Sequence, residues 1–514
     1  MKRWLKRLAI TLLSAVALLF AFGAAMHWLA GRGYFQNSGI RRSQLQLARE
    51  MPEIAQRARP WTSAGLAAPR SPAELFSLTN IWPARLSFTR SDWKKITPSP
   101  VPPVRDMFRD GKLVLRNPKA SRSGLSGVIG LDFNWVPGQF EFAGTAYTNV
   151  AARYRGNGTY INSLFGPKQS FKVDLPKFAK GQSLAGLSHL NLLNSIADDT
   201  FLRDVLAQEL FRDLGVPAPR ASYSYLSIDV PGTFTNQALG LYVLLENIDG
   251  AFANDRFGSK TTPIFKPVTY ELFHDLGDDW AAYAEIYDLK TEATPAQTQR
   301  VINLARLVSR ADDDEFARRL PEFVDLPEFA AFVAGHALLS SCDGFLANGQ
   351  NFYIYLDPRT DKFGFISWDQ DHSFGEFGYV GTAEDREHMS LWEPYLYDFR
   401  FLKRVMKTEA FRALYRQRLE QAIAAQFTEE KLFSRIDQIA AVIRPAIAAE
   451  NDFRLKRFDQ AVSAAWLPGP RDGVPEGPKA PVHQIKRFIQ NRIASVKSQL
   501  AGQSQGVVPR RGRH

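Results

Sequence analysis

The chain is almost devoid of cysteine. Cys342 is the only one in 514 residues, so no intrachain disulfide can form. That thiol is either a nucleophile beside a site or a small buried hydrophobe. Internal repeats are missing, which excludes solenoid and propeller architectures. There is also no basic stripe interleaved with aromatic residues. The formal net charge is +11, but Lys2, Arg3, Lys6 and Arg7 together with Arg510, Arg511 and Arg513 carry seven of those charges. The body is left at about +4, too little and too scattered for a nucleic-acid partner. With 45% hydrophobic and 23% charged residues, the composition excludes a disordered chain.

Charge is absent over one long run, from Leu8 to Ala30, directly after MKRWLKR. About 20 apolar residues span a bilayer. The run predicts a single-pass anchor over 1–30, with the N-terminus cytoplasmic and the main domain periplasmic or extracellular. The competing reading is a cleaved signal peptide. Residues 31–79 read as a partly helical stalk.

Residues 80–250 alternate apolar and polar positions between proline and glycine signals and predict a β-rich lobe. One helix interrupts it, with Asp199 as N-cap, a stripe of Leu202, Val205, Leu206 and Leu210, and Gly215 at the C-terminal end. Residues 251–500 are mainly helical, with helices expected at 293–310, 327–341, 408–425, 429–447, 450–464 and 484–500. A hairpin, NFYIYLDPRTDKFGFISWDQD, lies among them. Trp466–Pro481 reads as a loop, and 501–514 as a disordered basic tail. The class is α+β.

Chemistry-bearing residues gather between Asp343 and Gly375. Asp343 follows an apolar helical segment, Asn348 and Asn351 come next, and the hairpin ends in Asp369-Gln370-Asp371. Carboxylate and amide oxygens form the hard set that suits magnesium shared with phosphates. An Asp, an Asn five residues later, a hairpin and a further Asp is also the order in protein kinases. The same residues could form plain turns, a calcium loop or a glycosidase pair. An EF-hand fits poorly, because Phe374 and Val380 stand where Gly and Glu are needed.

The first lobe adds Arg155-Gly156-Asn157-Gly158-Thr159, a polar turn whose N–H groups could face a phosphate. Lys168, Ser170 and Lys172 share one strand face, opposite Phe171, Val173 and Leu175. Glu209 falls on the apolar stripe of its helix, where a carboxylate needs a partner. A lysine of the neighbouring strand is the obvious one. Glu246 closes an apolar strand and would either line a nucleotide pocket or support a turn.

Taken in order, VAARYRGNGTY, PKQSFKVDL, DDTFLRDVLAQELFRDLGVPAP, GLYVLLENIDGAF, NFYIYLD and ISWDQDHSFG resemble the CotH family of atypical protein kinases. The resemblance implies a kinase-like two-lobed fold and transfer of the ATP γ-phosphate to protein Ser/Thr hydroxyls, with Mg²⁺ or Mn²⁺. It implies Lys168 on the phosphates with Lys172 in reserve, Gly156, Gly158 and Glu246 in the ATP site, and Glu209 orienting the lysine. Asp343 would be the base, Asn348 or Asn351 would assist on the metal side, and Asp369 and Asp371 would ligate the metal. Departures from ordinary kinases are the missing GxGxxG loop, Ser341-Cys342 in place of His-Arg before Asp343, and the split of Asp-Phe-Gly into Asp369-Gln370-Asp371 with a later Phe374-Gly375. Two other readings remain: a pseudokinase scaffold for envelope or surface assembly, and a metal-dependent hydrolase.

Overall fold

The computed structural model describes residues 34–62, 65–100, 108–109, 112–113, 131–269, 271–347, 349–396, 399–465 and 478–510. The expected anchor over 1–30 lies outside the described residues, as do Asn348 and most of the 466–481 loop. No helix among the described residues is long and apolar enough to cross a membrane.

Seven strands close into a barrel. They are β1 (Ile81–Ser87), β2 (Val136–Phe142), β3 (Thr145–Tyr154), β4 (Phe171–Asp174), β5 (His189–Leu193), β6 (Ala221–Val230) and β7 (Phe234–Glu246). Around the barrel the order is β1-β6-β7-β5-β4-β3-β2, with β2 returning to β1. All pairings are antiparallel except β1 with β6. Strand alternation fills the inside: Phe171 and Val173 of β4, Leu190 and Leu192 of β5, and Tyr242 and Leu244 of β7 share one core. The intervening residues Lys172, Asp174 and Asn191 are thereby turned to the outer face.

A second sheet, ordered β9-β8-β10-β11, holds β8 (Ile264–Pro267), β9 (Tyr287–Leu289), β10 (Phe352–Leu356) and β11 (Phe363–Ser367). The last two form the predicted hairpin, in register Phe352↔Ser367 to Leu356↔Phe363. Both of its strands are buried throughout. Helices lie at Pro295–Arg310, Leu326–Leu338, Glu409–Gln421, Glu429–Glu450, Asp452–Val462 and Ile485–Leu500, close to the expected spans; Leu326–Leu338 packs on β11 and Glu429–Glu450 on β7 of the barrel.

Three local expectations change. Between β3 and β4 the polar turn runs into a short helix, α1 (Asn157–Asn162), with Gly156 in the left-handed region at φ 75 as its N-cap. The helix after β5, α2 (Arg203–Asp213), begins later than the Asp199 cap implies. Asp198 takes the N–H groups of Thr200 and Arg203 at 2.9 and 3.0 Å, whereas Asp199 pairs with Arg457. Finally, residues 501–510 are not a loose tail. Val507 bridges to Met389, and its N–H and carbonyl bond His388 and Ser390 at 2.8 Å. An extended apolar residue beside a free strand-like edge explains this; the basic composition hid it.

Candidate functional site

The candidate cleft draws on the outer face of β4 and β5 and on residues at the ends of β3, β11 and α2. Lys172 donates from Nζ to Asn247 Oδ1 at 2.8 Å. Asn247 in turn donates to Asp249 Oδ2 at 2.8 Å, and Asp249 accepts His189 Nδ1 at 2.9 Å. Burial, reinforced by Arg153 and Arg155, pulls the Lys172 ammonium down to about 7. At the end of β3, the Arg155 guanidinium lies 5.5 Å over the Trp368 ring, and its buried Nη1 has no hydrogen-bond partner.

A second group of residues is acidic. Asp369 lies two residues beyond the end of β11, with a left-handed backbone at φ 55. A non-glycine residue held there stores backbone strain, a feature that clusters at functional sites. Asp371 lies among Asp369, Asp204 and Asp343. Burial first, and then those three charges, push its carboxyl well above the usual range, although His372 beside it acts in the opposite direction. His372 is pushed well above its ordinary value: burial opposes its charge, but Asp371 and its hydrogen-bonded partner Glu376 outweigh that. Asp343 is presented by the turn after a helix ending at Leu338, where Ser340 adopts φ 43. Asn351 donates to the Asp343 carbonyl at 2.5 Å and to Oδ2 at 3.3 Å, and Gln350 to Oδ1 at 3.1 Å.

Several expected residues are engaged differently. Lys168 lies outside β4 and gives its ammonium to both oxygens of Glu450, each at 2.6 Å. Glu209 does not meet a strand lysine. It is half-exposed at the margin of its helix and chelates Arg435 at 2.6 and 3.0 Å. Glu246 is fully buried and enclosed by Arg220 and Arg256, so its carboxylate supports the turn rather than facing the cleft. Cys342 is buried against Met389 and pushed up to about 11 by burial, so it is no nucleophile.

Arg155 and Asp204 were missed. Asp204 is buried and sits off the apolar stripe of α2. Gln370 N–H and Gln208 Nε2 bond its Oδ1 at 3.1 and 3.0 Å. Burial and then Asp369 raise its carboxyl to about 6. The available signal was the Asp204–Gln208 pair at i,i+4, two polar residues sharing a helix face.

The arrangement suits a divalent cation bound together with phosphates. Its hard carboxylate oxygens repel one another, and a cation would relieve that repulsion. Among the described residues no three His, Cys, Asp or Glu side chains already form a closed ligand cage.

The chain is 24% identical over 323 residues to the inner spore coat protein H of Bacillus subtilis, covering 61% of this chain and 82% of that protein. It is 24% identical over 277 residues to an inner spore coat protein H-like protein of the same organism, covering 53% and 71%. A family model described as CotH kinase protein matches residues 152–496. That match takes in the barrel from β3 onward, Arg155, Lys172 and the carboxylates from Asp204 to Asp371, and the chain belongs to the CotH kinase protein family.

Proposed function

We propose that the chain is an ATP-dependent protein kinase of two-lobed, kinase-like build, transferring the γ-phosphate of ATP to protein Ser/Thr hydroxyls. The observation that carries this reading is the gathering of Asp204, Asp369, Asp371 and Asp343, close enough to act on one another, beside a basic group. Arg155, whose buried Nη1 has no partner, is near enough to act on both Asp204 and Lys172. Phosphoryl transfer needs that division of labour: cationic donors for phosphate oxygens, hard oxygens for a cation, and a carboxylate for the attacking hydroxyl. The family description supports the same chemistry.

In this reading Lys172, rather than Lys168, pairs with phosphate oxygens, and Arg155 supplies a second positive group. Asp369 and Asp371 hold Mg²⁺ or Mn²⁺, which when bound neutralises charge on the phosphate oxygens. Asp343 orients the substrate hydroxyl and accepts its proton, while Gln350 and Asn351 fix its carboxylate. The apolar run Leu8–Ala30 supports an enzyme anchored in a membrane and acting outside the cytoplasm.

The test is radiolabel transfer from ATP by the full chain, with Asp343→Ala and Asp369→Ala beside it. Each substitution is expected to lower the rate by about 10²–10⁴, the range for loss of a positioned acid–base group. Equal labelling by all three proteins would refute the assignment. Failure of ATP with Mn²⁺ to raise the melting temperature would favour a pseudokinase scaffold instead.

A further inference from the structure

We propose that Asp204 of α2 is itself a ligand of the divalent cation, sharing the ion with Asp369. The proposal deepens the phosphoryl-transfer reading and rests on it.

The geometry is uneven about this carboxylate. Both hydrogen bonds it accepts, from Gln370 N–H at 3.1 Å and from Gln208 Nε2 at 3.0 Å, go to Oδ1. Oδ2 is buried without a partner. Among the described residues it is the one carboxylate oxygen in that condition. The side chain is 3% exposed, so water does not readily make up the deficit. A buried acceptor left without a donor costs about 1–3 kcal/mol, and more when charged. The bond from Gln370, the residue after Asp369, ties the carboxylate to the strained turn that presents Asp369.

The neighbouring groups are already engaged. Glu376 is bonded to His372, whose charge also faces Asp371. Asp343 accepts from Gln350 and Asn351. Arg155 is near enough to act on Asp204 electrostatically but forms no ion pair with it; its guanidinium lies over Trp368. The deficit at Oδ2 is thus one that a cation between Asp204 and Asp369 would fill. Mg²⁺ and Mn²⁺ bound with phosphates use one or two carboxylates, with water and phosphate oxygens completing the shell. The helix α2 then serves the site through a metal ligand, where a carboxylate oriented toward a lysine was expected.

The experiment titrates Mn²⁺ alone into the full chain, following loss of the free-ion paramagnetic resonance signal. Asp204→Asn keeps the acceptor for Gln370 and Gln208 and removes only the charge. It is expected to weaken Mn²⁺ binding about tenfold or more, as is Asp369→Asn. In EDTA the Asp204→Asn protein should melt at or above the wild-type temperature, because a charge repulsion is gone, and Mn²⁺ should stabilise it less. Asp204→Ser replaces it if the asparagine variant shows no cooperative melt. Mn²⁺ affinity within twofold of wild type, or no Mn²⁺ binding by wild type, would overturn the proposal. ATP binding is measured separately. Wild type that takes Mn²⁺ through Asp204 but never binds ATP would remove the kinase reading and leave the metal ligand standing.

Discussion

The two lysines flanking Ser170 should separate cleanly by mutation. Lys168 Nζ lies 2.6 Å from both oxygens of Glu450, and its side chain is 16% exposed against 6% for its partner. The surroundings leave little room: a Cβ on Gly240, which sits at φ 104, would lie 2.4 Å from Glu450 Oε2. Removing one partner of a buried pair costs about 3–5 kcal/mol. After Lys168→Met, Glu450 still accepts Leu241 N–H at 3.2 Å and faces Arg454 Nε at 3.6 Å, which places the loss at the lower end, about 3 kcal/mol. Lys172→Met forfeits one bond to Asn247, worth about 1 kcal/mol. It also relieves a charge that burial and Arg153 disfavour, so net stability should move by less than that. Nucleotide binding should show the reverse. A charge-assisted bond is worth about 1.5–3 kcal/mol, so Lys172→Met should weaken ATP by a factor of roughly ten to a hundred, with Lys168→Met near wild type in its folded fraction. Urea unfolding followed by tryptophan fluorescence, together with ATP–Mn²⁺ thermal shifts, reads both quantities. Loss of ATP binding in Lys168→Met with retention in Lys172→Met would refute this reading of the cleft. So would a coupling below about 0.5 kcal/mol in the Lys168/Glu450 double-mutant cycle.

Glu246→Gln should destabilise the protein by about 3 kcal/mol, since Arg220 and Arg256 lose a buried counter-charge, while ATP affinity of the folded protein stays unchanged; denaturant melts and thermal shifts check this. His189 lies between Asp174 and Asp249. Burial works against its charge, but the two carboxylates outweigh that and raise it. A raised folded-state value means stability that is complete below the unfolded value near 6.5 and lost as pH climbs through the folded one. His189→Gln should therefore cost on the order of 1 kcal/mol at pH 5.5 and much less at pH 9, read from urea midpoints; equal losses at both pH values would refute the coupling. Cys342, buried and raised to about 11, should resist thiol reagents in the native protein at pH 8 and react on unfolding, with mass spectrometry counting the adducts.

Much of this arrangement could be read in the amino acids. The alternation of Phe171, Val173 and the intervening Lys172 gave both faces of β4, because a strand's period of two leaves no choice once one face is apolar. The hairpin ending in Asp369 was legible for the same reason. Partner identity was not. Glu209 was correctly seen to need a cation, but which one depended on a helix more than 200 residues downstream bringing Arg435 alongside. Lys168 and Lys172 differ by four positions, and only barrel closure decided that one meets Glu450 and the other Asn247. Asp204 was hidden because α2 is covered on both sides, so burial of its polar face leaves no trace in hydrophobic periodicity.

The Ile485–Leu500 helix bears on how the protein can be cut. Its Arg492 is fully buried and donates to the carbonyls of Ala337 and Met389 at 2.8 and 2.6 Å. Gln499 accepts Leu391 N–H, and the segment after it pairs with His388 and Ser390. A fragment stopped short of this helix would strip the Met389 carbonyl of its Arg492 and Gln499 donors and the Ala337 carbonyl of one of its donors, at the end of the helix that precedes the Asp343 turn. At the other end Arg59 N–H bonds Ala449 and the Tyr225 hydroxyl bonds the Arg59 carbonyl. A recombinant piece intended to retain the cleft should therefore start ahead of Arg59 and run to Arg510.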